Sequence, residues 1–257
     1  MSPARKARAG GAGFTLIELL AVVALIGILA GLLFPAVGRG LASGRAAFCT
    51  ANLRQMHVAY MLYLADHDGR FFPLRENTKD CILWYWGLEK GGGGEGEREL
   101  DKSQARLAPY LGRYGGADIC PALPYRAAYF KRKFDLASYG YGLNTYLIAD
   151  SPECRRSGLT RFTQIEQPGG TIIWGDAIQI NTWQAPASPA NPMLEEWYAL
   201  DARSPPKFHF RHRGRFQAVF GDGSVRAFMP HALDPRCDGL VGRLEPPGED
   251  QLLRPRK

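Results

Sequence analysis

Glu18, His212 and Asp222 are the residues whose type and spacing could carry chemistry. Glu18 lies just before an apolar run, residues 19–34, that contains no charged residue. A carboxylate in hydrocarbon costs roughly 3 kcal/mol on insertion scales unless it finds a partner. His212 precedes Asp222 and Gly223 by nine intervening residues, and a His–Asp pair can bind a metal or transfer protons. These residues are the candidate functional positions of the sequence.

A structural interpretation also fits His212, Asp222 and Gly223. Asp-Gly between apolar runs is typical of a tight primed hairpin turn with positive φ, so Asp222 makes the turn and His212 satisfies backbone groups at the strand start. Asp176, in the stretch WGDA, completes the one cluster that would be tested for catalysis. No G-x-S-x-G, H-E-x-x-H or P-loop motif is present. We therefore expect no enzyme, no cofactor and no metal.

Composition narrows the class of protein. The 257 residues carry a formal net charge of +7, with 46% hydrophobic and 22% charged residues, which is typical of a globular chain. No Lys/Arg-rich stripe alternates with aromatic residues, so we expect no nucleic-acid partner. The early positive charges, Arg5, Lys6 and Arg8, instead mark the cytoplasmic side of a membrane segment.

The cysteines leave two interpretations open. Five are present, and none forms a C-x-x-C pair, which argues against a zinc knuckle. One interpretation is a disulfide among Cys81, Cys120 and Cys154, with no pair selected. The other is burial as small apolar residues. The five positions are Cys49, Cys81, Cys120, Cys154 and Cys237.

The apolar run must position Glu18. Phe14 to Phe34 gives roughly 20 residues, the length of a membrane-spanning helix. A secretory signal and a plain anchor both fit this length, but no A-x-A cleavage site follows and neither explains Glu18. Gly27 and Gly31 form a G-x-x-x-G pattern that favours close helix packing in lipid, and Pro35 predicts a bend or a locally melted turn.

The stretch G-FTLIE, Gly13 to Glu18, resembles the cleavage and methylation signal of type IV prepilins and type II secretion pseudopilins. The resemblance implies that a prepilin peptidase cuts after Gly13 and N-methylates Phe14. It also implies that Glu18, four residues on, pairs with the new amine of a neighbouring subunit inside an apolar filament core, which offsets the burial cost of either charge alone.

Two further stretches carry the resemblance. CTANLRQMHVAYMLYLADHDGRFFP, residues 49–73, is similar to a group of these proteins abundant in planctomycete and verrucomicrobial-type bacteria. His212 with Asp222 and Gly223 resembles the H-x9-DG signature named as a prepilin processing-associated domain. Some related pseudopilins bind calcium, but the oxygen ligands such a site needs are not apparent here.

The remaining pattern predicts the fold. Residues 41–68 are amphipathic, with apolar residues at helical spacing and Gly69 as a stop. Residues 138–148, 169–177 and 216–229 predict strands, the last a hairpin. We expect an α+β, pilin-like fold: a long, partly transmembrane N-terminal helix packed on a mainly antiparallel sheet with loop-rich insertions.

The expected organisation has four parts. Residues 1–13 form a cleaved basic leader, 14–37 a transmembrane and filament-core helix, 38–69 its amphipathic continuation, and 70–257 an extracytoplasmic β-rich head. The expected function is a structural subunit of a type IV pilus or type II secretion pseudopilus. Its partners are the prepilin peptidase, other pilin-like subunits and inner-membrane lipid. The alternative is a membrane-tethered extracytoplasmic module that binds polysaccharide or another surface ligand through its tryptophans.

Overall fold

The computed structural model describes residues 15–112, 119–201, 207–246 and 249–256. The chain divides into two compact units, Met1–Ser43 and Gly44–Lys257. We call the described part of the first, residues 15–43, the anchor segment, and the second the head. Helix α1, Leu16–Asp66, begins in the anchor segment and ends in the head. Two short helices follow it, α2 at Ala108–Leu111 and α3 at Pro152–Ser157.

Helix α1 runs 51 residues without interruption, and Pro35 lies inside it. The expected melted turn at Pro35 is therefore wrong. Proline removes one backbone donor from the i→i−4 ladder, and the bonds on either side hold the helix. The helix ends as predicted, because Asp68 and Gly69 adopt φ of 54° and 73° and the Gly69 amide donates to the Leu64 carbonyl at 2.6 Å. That geometry is typical of a glycine C-cap.

Fifteen strands form four sheets within the described residues. They are β1 Arg75–Asn77, β2 Cys81–Trp84, β3 Gly87–Lys90, β4 Leu100–Asp101, β5 Phe130–Lys131, β6 Tyr141–Asn144, β7 Ile172–Asp176, β8 Gln179–Asn181, β9 Met193–Glu195, β10 Ala199–Leu200, β11 Phe208–His209, β12 Phe216–Phe220, β13 Val225–Phe228, β14 Ala232–Asp234 and β15 Val241–Arg243. The orders are β1-β2-β3-β4, β10-β6-β7-β12-β13, β11-β15-β14 and β5-β9-β8. Pairing is antiparallel except for β10 with β6 and β5 with β9.

The head half of α1 packs on the five-stranded sheet. The predicted apolar stripe is buried, since Leu53, Met56 and Tyr60 are 0% exposed. The ring of Tyr60 meets Trp174 of β7 edge to face at 5.7 Å between centroids, and such aromatic pairs stabilise a core beyond their buried area. The predicted α+β, pilin-like fold class is confirmed. His67 lies past the helix end and is exposed.

The predicted hairpin is confirmed, but its turn differs from the expected primed type. Strands β12 and β13 pair in antiparallel register, and the Phe220 amide donates to the Ser224 carbonyl at 2.9 Å. Three residues, 221–223, therefore form the loop. Among them only Gly223 has positive φ, at 80°. A three-residue loop closed by a left-handed glycine also preserves the strand twist.

Candidate functional site

The predicted cleavage and methylation positions, Gly13 and Phe14, lie outside the described residues. Glu18 is described, and it has a local partner that the sequence reasoning missed. Its Oε2 accepts hydrogen bonds from the Thr15 amide at 2.9 Å and the Thr15 hydroxyl at 2.8 Å. The Glu18 amide donates back to Thr15 Oγ1 at 3.3 Å. This reciprocal pattern is a capping box, whose signal, T-x-x-E before an apolar run, is visible in the sequence.

The rest of the anchor segment presents its apolar side chains outward. Its most apolar stretch is not buried by the rest of the described chain. A Cβ placed on Gly27 or Gly31 would meet no atom within 4 Å. The described chain thus gives these glycines no internal packing role. One helix in the described residues is long and apolar enough to cross a membrane, which fits a membrane anchor.

His212 lies in the turn before β12 and does not meet Asp222. The two residues flank opposite ends of β12, a five-residue strand that spans roughly 13 Å. His212 instead approaches Asp176 at the end of β7, with its Nε2 3.3 Å from Asp176 Oδ2. The same Nε2 lies 3.6 Å from the Sγ of Cys120. The sequence cluster of Asp176, His212 and Asp222 is therefore only half assembled.

Cys120 is bonded to Cys49 of α1 in a disulfide with Cα atoms 5.4 Å apart. The expected pairing among Cys81, Cys120 and Cys154 is wrong, since Cys81 and Cys154 are free. The bond closes 71 residues of sequence separation, and no spacing rule identifies such a partner. The predicted burial of cysteines also applies, because Cys154 is 2% exposed.

Asp176 is the centre of a buried ionic chain. Its Oδ1 accepts from Arg211 Nη2 at 2.7 Å and its Oδ2 accepts from the Gln217 amide at 2.9 Å. Burial alone would raise the pKa of Asp176, but the charges of Arg211 and His212 and these hydrogen bonds outweigh it and lower the pKa. Asp176 therefore remains an ionised acceptor at neutral pH.

The chain continues from Arg211 to a second histidine. Arg211 Nη1 lies 3.3 Å from His209 Nδ1, and His209 Nε2 lies 2.9 Å from Asp238 Oδ2. Burial, the largest cause, lowers the pKa of His209 against the opposing hydrogen bond that His209 donates to Asp238. The alternation of polar His209 and Arg211 with Phe208 and Phe210 is the period-two signal that could have found this face.

The arrangement around His212 differs from a nucleophilic triad. In a triad the carboxylate holds one ring nitrogen and the nucleophile faces the other. Here the carboxylate of Asp176 and the sulfur of Cys120 both face Nε2. His212 and Asp176 are 5% and 0% exposed, so the pair lies away from solvent. His212 Nε2 can donate a proton to Asp176 or serve as a ligand atom. With both neighbours at one ring nitrogen, the arrangement does not relay a proton across the ring.

Asp222 has the turn role of the structural interpretation. Its Oδ1 accepts from the Ser224 amide at 2.9 Å. The Ser224 hydroxyl and the Ser224 amide together lower the pKa of Asp222. A Cβ on Gly223 would lie 3.5 Å from the ring of His57 in α1. The Gly221 amide donates to the Pro168 carbonyl at 2.9 Å. The turn thus rests between α1 and the segment before β7.

The tryptophans divide unevenly between core and surface. Trp84, Trp86 and Trp174 are at most 8% exposed, whereas Trp183 is 62% exposed. Trp197 is half-buried, with the ammonium of Lys207 4.2 Å from its ring centroid. Within the described residues these side chains therefore form no shared aromatic platform for stacking sugars.

The sequence of residues 8–34 matches a family model of the prokaryotic N-terminal methylation motif. This match and the outward apolar face of α1 together support a prepilin-type precursor with an N-terminal membrane anchor. Such a precursor is processed by a prepilin peptidase and assembles with pilin subunits. No curated protein matches the chain, and no solved structure does.

Proposed function

We propose that this chain is a pilin-like structural subunit. A prepilin peptidase cuts it after Gly13, methylates Phe14, and the mature chain assembles into a type IV pilus or a type II secretion pseudopilus. The observation that carries the proposal is the methylation motif at residues 8–34 on a helix whose apolar residues are exposed. In this scheme the leader lies in the cytoplasm, the helix spans the inner membrane and the head is extracytoplasmic.

The capping box supports a specific assembly step. In the free chain Thr15 donates hydrogen bonds to the Glu18 carboxylate. The monomer can therefore hold Glu18 in the membrane without a partner from another subunit. Cleavage places an amine on Phe14 of each subunit. A charged partner interacts with a carboxylate more strongly than a neutral hydroxyl does, so the amine of a neighbouring subunit displaces the Thr15 hydroxyl during assembly.

The H-x9-DG residues are proposed to be architectural. His212 lies against Asp176 and Cys120 at one end of β12, and Gly223 lies against His57 at the other. Cys120 is bonded to Cys49, so both ends of β12 connect to α1 at positions eight residues apart. The nine intervening residues are then three that follow His212 in the turn, the five of β12 and the first of the hairpin loop. This role involves no catalysis, in keeping with the burial of His212 and Asp176.

Processing is tested by intact mass and N-terminal sequencing of the full chain, expressed with and without a prepilin peptidase. We expect a mature chain that begins at N-methyl-Phe14 only when the peptidase is present. Gly13→Leu should block the cut, and Gly10→Leu, a matched change in the same leader, should leave it intact. A chain that still begins at Met1 beside a processed control prepilin, or a cut beyond Phe34, would refute the proposal.

Assembly is tested separately with two differently tagged copies in the same membrane. Glu18→Val should be processed normally but should lose co-purification of the second copy, because the amine then has no carboxylate. Leu19→Val, an apolar change in the same turn, should retain it. Wild-type co-purification by Glu18→Val would remove the pairing step while leaving the processing proposal standing.

A further inference from the structure

We propose that, when the Cys49–Cys120 disulfide is reduced, the two thiolates and His212 bind a thiophilic divalent cation, Zn²⁺ being the best fit. The Sγ atoms of Cys49 and Cys120 and a ring nitrogen of His212 all lie within 4.8 Å of one another. Two sulfurs and an imidazole are a donor set that zinc prefers. This inference does not depend on filament assembly.

The three donors are held by different parts of the head. Cys49 belongs to α1, Cys120 lies in the segment before β5, and His212 lies in the turn before β12. Their exposed fractions are 0%, 0% and 5%. Such a site is pre-formed by the packing of the core, because none of the three donors has to be drawn in from solvent.

Once the disulfide is reduced, modest side-chain rotation places the two sulfurs at the spacing of zinc ligands. Two sulfurs on a tetrahedral zinc ion, with Zn–S of about 2.3 Å, lie about 3.8 Å apart. Cα atoms 5.4 Å apart allow this separation with the backbone unmoved. His212 Nε2 already lies 3.6 Å from Cys120 Sγ, so it borders the space between the sulfurs.

The charges balance in the metal-bound form. Two thiolates offset the two positive charges of Zn²⁺, and a neutral complex is what a buried site accepts. Asp176 Oδ2 lies 3.3 Å from the same Nε2. Its own charge is already compensated by Arg211 at 2.7 Å. His212 then holds its proton on Nδ1, and Asp176 keeps its bonds from Arg211 and Gln217.

The redox step needs an external dithiol reductant. It transfers two electrons and two protons to the Cys49–Cys120 bond and becomes a disulfide itself. Binding of Zn²⁺ then releases the two thiol protons to solvent. A disulfide oxidant reverses the sequence: the Cys49–Cys120 bond forms, two electrons pass to the oxidant, which takes up two protons and becomes a dithiol, and the cation is released. The disulfide and the metal are thus alternative cross-links between α1 and the same loop.

The test uses the full chain in detergent, with Co²⁺ as the spectroscopic probe. Reduced protein should bind one Co²⁺ with a sulfur-to-cobalt charge-transfer band and tetrahedral visible bands, while oxidised protein should not. Cys49→Ser and His212→Ala should each lose these bands or bind at least tenfold more weakly. Cys154→Ser removes an equally buried thiol that is not bonded to Cys49 or Cys120, and should bind as wild type does.

Several outcomes would overturn the proposal. They are equal Co²⁺ spectra for the reduced and oxidised chains, unchanged spectra in Cys49→Ser or His212→Ala, and no binding by reduced wild type. A second measurement avoids variants that fail to fold. Zn²⁺ should raise the Tm of the reduced wild-type chain in detergent and should leave the Tm of the oxidised chain unchanged. A Zn²⁺-independent Tm in the reduced chain would also reject the site.

Discussion

Apolar residues in the two halves of α1 differ in what covers them. Leu32 in the anchor segment is 72% exposed, whereas Leu53 in the head is 0% exposed. Both belong to one helix, so helix propensity does not separate them. The head half is covered by its own sheet, and the anchor half is covered by nothing within the described chain. Apolar surface of that size is stable only against lipid or another subunit.

This difference in cover has an energetic consequence. Substitutions in the head should change the free energy of unfolding, because its apolar contacts form only on folding. Substitutions in the anchor segment should change membrane retention or subunit association instead. The head also carries a covalent cross-link and buried charges, whereas the described anchor segment contains one carboxylate, Glu18, and one neighbouring hydroxyl, Thr15, that satisfies it.

The largest expected effect is loss of the Cys49–Cys120 bond. A loop of 71 residues corresponds to about 4 kcal/mol in the chain-entropy estimate. Reductant should lower the free energy of unfolding of the full chain in detergent by that order, measured by guanidinium titration and tryptophan fluorescence with a chelator present. Cys120→Ala should remove this reductant dependence and Cys154→Ala should preserve it. No response of wild type to reductant would contradict the cross-link.

A matched pair on the same helix tests the comparison directly. Leu53→Ala should destabilise the head by about 3 kcal/mol, because it deletes buried methyl groups and leaves a cavity. Leu32→Ala should change the free energy of unfolding of the head by less than about 0.5 kcal/mol. Both follow from the same guanidinium titration. Equal losses would mean that the anchor segment is covered by the chain itself.

The buried Glu196 should make the head pH-sensitive. Burial raises the pKa of Glu196 to about 7, against hydrogen bonds from Ser138 that lower it. The folded state therefore holds the proton more tightly than the unfolded state. Glu196 makes its full contribution to the free energy of unfolding below pH about 4.5. This contribution, at most about 3 kcal/mol, is lost as the pH rises to about 7.

Glu196→Gln keeps the acceptor for Ser138 but does not titrate. Its free energy of unfolding should lack the fall that wild type shows across this pH window, as measured by guanidinium titrations at several pH values. Glu76→Gln, an exposed head glutamate, should behave as wild type. Parallel pH profiles for Glu196→Gln and wild type would show that Glu196 is not the group responsible.

The smallest expected effect lies in the anchor segment. Thr15→Ala removes the hydroxyl that caps α1, at a local cost of about 1 kcal/mol. Amide hydrogen exchange at Glu18 should accelerate roughly fivefold, while the unfolding of the head stays unchanged. Thr15→Ser retains the hydroxyl and should exchange as wild type does. Unchanged exchange in Thr15→Ala would show that the Thr15 hydroxyl does not stabilise the start of α1.

Local patterns predicted what depends on neighbours in sequence. The helical spacing of Leu53, Met56 and Tyr60, the stop at Gly69 and the β12–β13 hairpin all follow from contacts within a few residues. The melted turn at Pro35 was wrong because one missing donor does not outweigh the helical bonds around it. The capping box of Thr15 and Glu18 is equally local, and its signal is T-x-x-E before an apolar run.

The candidate site around His212 could be predicted only in part. The sequence identifies both His212 and Asp176 as candidates, but it also groups Asp222 with them because of its position across the hairpin. A strand between His212 and Asp222 holds them apart, since extended chain separates its ends. The pairing of Cys49 with Cys120 and the contact of Arg211 with Asp176 join distant segments, which no local periodicity encodes.

The sequence by itself determined the anchor, because a methylation motif and an apolar helix with one carboxylate lie in consecutive residues. These signals are local in sequence, so folding adds little to them. Only the tertiary structure decided which cysteines meet, which carboxylate His212 faces and which leucines of α1 are covered. These are contacts between segments many residues apart, and they are set by how α1 packs against the sheet.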